Sequence, residues 1–184
     1  MLRKLTAADL ARPAADAARA GARHAVSVVL DNVRSAHNVG AVLRTADALA
    51  LAHVYLCGIT PPGDHIAVFK TALGADASVP WSHAGSAREV VERLKRGGTT
   101  VAALELTTAP TPVEALTAAH FPLALVVGNE VDGVDADVLA ACDFAIELPQ
   151  WGAKHSLNAS VAFGVAAYDL VRRARALDVP LGPA

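Results

Sequence analysis

The chain has 184 residues, 53% of them apolar and 4% aromatic, a composition that suits one globular domain and argues against disorder except at the ends. A net charge of −2 leaves the totals neutral on nucleic-acid binding; the basic residues gather locally, at Arg3 and Lys4 and over 93–96 and 172–175. No apolar run approaches the length of a membrane span and no N-terminal run reads as a signal peptide, so a cytoplasmic location is expected.

In chain order, residues 1–24 are Ala/Arg-rich and read as a short helix or arm before the main domain. The apolar run over 26–30, ending at Asp31, predicts a buried strand. Helical periodicity follows over 39–51, a second strand over 53–57, and a Pro/Gly loop over 58–64. A short helix is predicted over 66–73 and a brief strand over 79–81. The amphipathic stretch 86–96 stops at Gly97 and Gly98. Strands are predicted over 100–104, 123–127 and 144–148, with helices over 134–141 and 156–177. Strands alternating with helices imply an α/β domain, a mostly parallel sheet with helices on both faces. The expected organisation is an arm over 1–24, the domain over 25–178 and a tail over 179–184.

Cys57 and Cys142 lie far apart in apolar surroundings and read as reduced thiols. The seven histidines show no ligand spacing, so no metal is expected.

Ligands of open α/β sheets bind beyond the carboxyl ends of the strands, which directs attention to three loops. The first carries Asn38, Gly40 and, one and a half helical turns on, Arg44, whose stem is expected to be partly buried with its head aimed at the loop. The second places Gly128 directly after an apolar strand, where a ligand could approach the backbone, followed by Asn129, Glu130 and Gly133. Its glycines do not have the G-x-G-x-x-G spacing and no Walker-type lysine follows, which argues against NAD and ATP sites. The third runs from Leu148 and Pro149 through Gly152 to Ser156, a suitable N-cap for the last helix, then Leu157 and Asn158. Asn158 is a poor interior helix former. In that helix Leu157, Val161, Val165 and Tyr168 line one face while Phe163, Ala167 and Leu170 line another, as at a dimer interface.

Together the three segments resemble the SpoU/TrmH branch of the SPOUT methyltransferases. Asn38, Gly40 and Arg44 match its Asn-x-Gly-x-x-x-Arg motif; Gly128, Glu130 and Gly133 match the second; Pro149, Ser156, Leu157 and Asn158 match the third, all in the family's order over roughly residues 25–175. The resemblance implies a C-terminal trefoil knot, an exception to the unknotted rule. It also implies a homodimer and S-adenosylmethionine as cofactor for methylation of a ribose 2′-hydroxyl in RNA. By the same match, Leu104, Gly128, Asn129, Leu148 and Leu157 would contact the cofactor, and Asn38, Arg44, Glu130, Ser156 and Asn158 would form the catalytic cluster.

RNA would be gripped by the domain itself, through Arg34, Arg44, Lys154 and His155, with transfer RNA favoured over ribosomal RNA. A guanidinium holds its proton too firmly to be a good general base, so Arg44 is expected to clamp a phosphate and orient the hydroxyl. Two alternatives stay open: a non-catalytic RNA-binding or assembly protein on the same fold, and a base-directed methyltransferase.

Overall fold

The computed structural model describes residues 2–6, 9, 14–154 and 156–182. Six parallel strands form one sheet in the order β3-β2-β1-β5-β4-β6. They are β1 (His24–Asp31), β2 (Leu51–Cys57), β3 (Trp81–Ala84), β4 (Thr100–Leu104), β5 (Leu123–Val127) and β6 (Phe144–Ile146). β5 is buried along its whole length, which explains why its sequence is a continuous apolar run and not an alternating one.

Helices cover both faces. Val26, Val28 and Leu30 of β1 point to a large core closed by α2 (Ala36–Ala48), α3 (Ile66–Ala72), α4 (Ala75–Ser78) and α7 (Ala159–Ala176). Val29 of β1 and Val126 of β5 point the other way, against α5 (Ala87–Arg96) and α6 (Ala136–Ala141). The predicted α/β class is therefore the observed one. A short helix, α1 (Ala15–Arg19), precedes the sheet. Arg23, buried behind it, donates to the carbonyls of Ala18, Leu51 and Ser78. The tail returns to this point, where Gly182 and Arg23 exchange two backbone hydrogen bonds of 2.9 Å.

Element boundaries moved where side-chain caps decide them. α2 begins at Ala36, three residues earlier than its periodicity suggests, because Ser35 accepts a hydrogen bond from Asn38 N. It ends at Ala48, and Ala50 takes a positive φ of 46°, so Leu51 belongs to β2. The strand expected over 79–81 lies at Trp81–Ala84, because the chain first makes the turn of α4. β6 is shorter than expected and stops at Ile146.

The largest shift concerns the last helix. Ser156 does not cap it. Asn158 does, its Oδ1 accepting from Ser160 N and Val161 N, so α7 starts at Ala159. Asn158 is thus a cap and not a poorly placed interior residue. From β6 on the sheet edge, the chain crosses the ends of β4 and β5 before α7 packs on α2 and β1.

Candidate active site

A cavity of about 520 Å³ opens at the carboxyl ends of β4, β5 and β6. Leu104, Val127 and Ile146 end those strands, and the loops that follow bring Leu148 and Leu157 to the same space. All five residues expected to contact a cofactor (Leu104, Gly128, Asn129, Leu148 and Leu157) line it, as do Glu130, Ser156 and Asn158. Every charged residue of the lining is an acid: Glu105, Glu130, Asp132 and Glu147. Such a pocket repels a phosphate-bearing cofactor and favours a ligand carrying positive charge.

Gly128 is required for a different reason from the one its position suggested. A Cβ there would overlap the backbone of Gly133 and Val134, so the close approach is made by the chain itself. Asn129 and Gly133 pair across this tight loop by backbone bonds of 3.0 and 3.2 Å. The Asn129 side chain is spent within the loop, accepting from Val131 N and Asp132 N and donating to Gly133 O. What Asn129 presents to the cavity is therefore mainly backbone.

Glu105 carries a part the sequence reading missed. Its carboxylate accepts from Val134 N at 3.0 Å and from Leu106 N at 2.9 Å, tying the loop after β4 to the loop after β5. The only sequence signal was an acid immediately past a strand's carboxyl end.

Glu130 joins the first and second motifs. Its carboxylate accepts from Arg34 N and Ser35 N, both at 3.1 Å, and from Asn38 Nδ2 at 2.7 Å. Burial pushes this carboxyl up, but those donors outweigh it and hold the group below the ordinary glutamate value. Asn38, itself buried, passes the connection on: its Oδ1 accepts from Asn158 Nδ2 at 3.1 Å and from Ser160 Oγ at 3.3 Å. One hydrogen-bonded chain thus runs through Glu130, Asn38, Asn158 and Ser160. Ser160 was not singled out in the sequence, although its place two residues after Asn158 is that of a capped first turn.

Arg44 is the exception. It is exposed, and no hydrogen bond or ion pair joins it to any described residue. It lines a second cavity with α1 and the α3–α4 turn. Six helical residues carry it about 9 Å along the axis and to another face from Asn38, so the expected partial burial with its head at the loop does not occur. Arg34 and Lys154 are exposed near the main cavity, and His155 lies outside the described residues.

Cys57 is buried and Cys142 partly so; both thiols are free, and burial pushes each up to about 12. Among the described residues no group of three or more His, Cys, Asp or Glu could hold a metal ion, and no helix is long and apolar enough to cross a membrane.

Comparison with known proteins gives the family. A protein of Staphylococcus haemolyticus assigned to the TrmH family of tRNA/rRNA methyltransferases is 36% identical over 150 residues, covering 79% of this chain and 58% of its own. An AdoMet-bound rRNA methyltransferase from Sinorhizobium meliloti superposes with a TM-score of 0.73 at 27% identity, over 83% of this chain and 56% of that one. A protein described for the 2-OH methylation of C/U34 on tRNA superposes with a TM-score of 0.69 at 26% identity, over 82% of this chain and 97% of that one. The chain spans 58–62% of the length of the first curated relatives it matches. The model of the SpoU rRNA methylase family matches residues 25–168, and the chain belongs to that family.

Proposed function

We propose that this chain transfers a methyl group from S-adenosylmethionine to a ribose 2′-hydroxyl of RNA, as a homodimer in the cytoplasm. The observation that carries the reading is the acid-lined cavity at the ends of β4, β5 and β6, joined to Asn38 through Glu130 and Asn158. Its volume and apolar walls suit an adenosine, and its four carboxylates suit a sulfonium and an amino group. Leu104, Leu148 and Leu157 would hold the adenine, with backbone of the Gly128–Asn129 turn beside it. Bound there, the cofactor supplies an electrophilic methyl group on a positively charged sulfur.

The reaction neutralises that charge, so alignment matters more than stabilisation of an anion; it can contribute up to roughly 7–11 kcal/mol in the best cases. Glu130, Asn38 and Asn158 fix the floor and edge of the cavity, and Ser156 orients the group that enters. Arg44 stands too far round α2 to serve the cavity of its own chain. In the proposed dimer it reaches the partner's cavity, clamps the phosphate beside the target ribose and orients the hydroxyl, whose proton leaves to water. Val161, Val165 and Tyr168 support the dimer, since all three are exposed along one face of α7. The path from β6 across the sheet to α7 fits a knotted backbone.

Transfer RNA is the favoured substrate, because a compact dimer can read an accessible loop. Incubating the protein with labelled S-adenosylmethionine and RNA, then digesting to nucleosides for mass analysis, tests the proposal. A 2′-O-methylnucleoside is expected. A methylated base would move the reaction to the nucleobase, and absence of cofactor binding would leave an RNA-binding protein without catalysis.

A further inference from the structure

Trp151 is 92% exposed. An indole is usually buried or set in an interface, so its position here calls for a physical reason. It directly follows Gln150, which lines the main cavity, in the β6–α7 loop that also supplies Leu148, Ser156 and Leu157. Two other loops bring exposed apolar side chains to the cavity that Gln150 lines: Leu106 after β4, 52% exposed, and Val131 after β5, 72% exposed. The other tryptophan behaves ordinarily: Trp81 is half-buried and its Nε1 donates to Asp76 O at 3.0 Å.

Two cations stand outside the acidic lining of the cavity. Lys154 is exposed three residues after Trp151, and Arg34 is exposed where its backbone N–H meets Glu130. Neither forms an ion pair with a described residue. Protein interfaces are depleted of lysine at their centres. An exposed aromatic plane with an exposed cation three residues on in the same loop instead suits a nucleic-acid strand, with the ring stacking on a base and the cation meeting a phosphate.

We infer that Trp151 stacks on a nucleobase of the substrate RNA at the cavity mouth and so contributes to substrate selection. The inference rests on the RNA methyltransferase reading above. Leu106 and Val131 form the apolar remainder of the collar, while Lys154 and Arg34 anchor the flanking backbone. Trp151 binds and selects; it takes no part in methyl transfer.

The test is fluorescence and kinetics on the full chain with unmodified transfer RNA as the probe. The wild-type spectrum minus that of Trp151→Phe, in which Trp81 is the one remaining tryptophan, isolates the Trp151 signal without altering Trp81. RNA should quench that signal, saturating at the concentration that saturates binding. Trp151→Ala should weaken RNA binding roughly 5- to 150-fold, the range for losing one base–aromatic stack. It should raise KM with kcat and S-adenosylmethionine affinity unchanged, and Trp151→Phe should restore most of the loss.

Unquenched emission at saturating RNA, or unchanged affinity in Trp151→Ala, overturns the proposal. So does conversion of Trp151→Ala from dimer to monomer, which would show that a second copy covers the rim. Quenching without methyl transfer would sustain the stack and overturn the methyltransferase reading, whereas wild type that binds no RNA overturns both.

Discussion

Asn38 Nδ2 donates to Glu130 Oε1 at 2.7 Å, joining residues 92 positions apart in the chain. The partners on either side set the amide's orientation: its nitrogen faces a carboxylate, and its oxygen faces the Asn158 amide and the Ser160 hydroxyl. Three motifs separated in sequence become one polar chain through this bond. Replacing either end should therefore be felt at the other.

Glu130→Gln should uncouple that chain. The neutral side chain keeps one acceptor oxygen where the carboxylate has two, so it cannot serve Arg34 N, Ser35 N and Asn38 Nδ2 equally. Hydrogen bonds to a charged group contribute about 1.5–3 kcal/mol, and the exposure of Glu130 puts the expected loss near the bottom of that range, measured by urea unfolding at pH 7. Its folded-state value is depressed, so its contribution is present above the unfolded glutamate value and is lost as pH falls through the lower folded value. The gap between wild type and Glu130→Gln should close in that acidic window; a gap that persists there would contradict the account.

Gly128→Ala should be severely destabilising, because a Cβ would overlap the backbone of Gly133 and Val134, which has no flexible end to move. Overpacking of this kind costs about 1–3 kcal/mol or more. Gly152→Ala, with open space at the Cβ position, is the control and should leave the unfolding midpoint nearly unchanged.

Asn158 has two jobs that separate variants can distinguish. Asn158→Asp keeps an oxygen to cap Ser160 N and Val161 N but cannot donate to Asn38 Oδ1. It should hold the thermal midpoint near wild type while lowering methyl transfer. Asn158→Ala should lose both, with a capping loss of about 0.5–2 kcal/mol. Equal stability losses in the two variants would refute the division.

Arg44 offers a test of action across the dimer. Arg44→Ala and Asn158→Asp homodimers should each be impaired in methyl transfer. Mixing the two should restore activity, because the mixed dimer contains one cavity with an intact Asn158 facing an intact Arg44. Mixtures no more active than the average of the parents would place Arg44 and the cavity in the same protomer.

Val165→Glu should produce monomers, seen by sedimentation velocity, with little change in secondary structure. Val165 is exposed within one chain, so a charge there costs the fold little and a dimer interface much. An unchanged dimer would remove the α7 stripe from the interface.

Glu105, Gly128 and Arg44 show how far the chain alone speaks. The apolar runs at 100–104 and 123–127 specified their strands without error, because a strand buried on both faces must be apolar throughout. The residues gathered at the cavity were legible too, since a parallel sheet brings every strand's carboxyl end to one edge. Caps were less so: Ser156 and Asn158 are both competent, and only the loop's path decides which one meets free amides. The contact that makes Gly128 necessary lies with Gly133, across a turn whose closure no local pattern reveals. Glu105 gained its part from Val134, 29 residues on. Arg44 changed most. Its place in the chain gave its chemistry, but helical rotation decided which way it faces, and that direction points out of its own protomer's cavity.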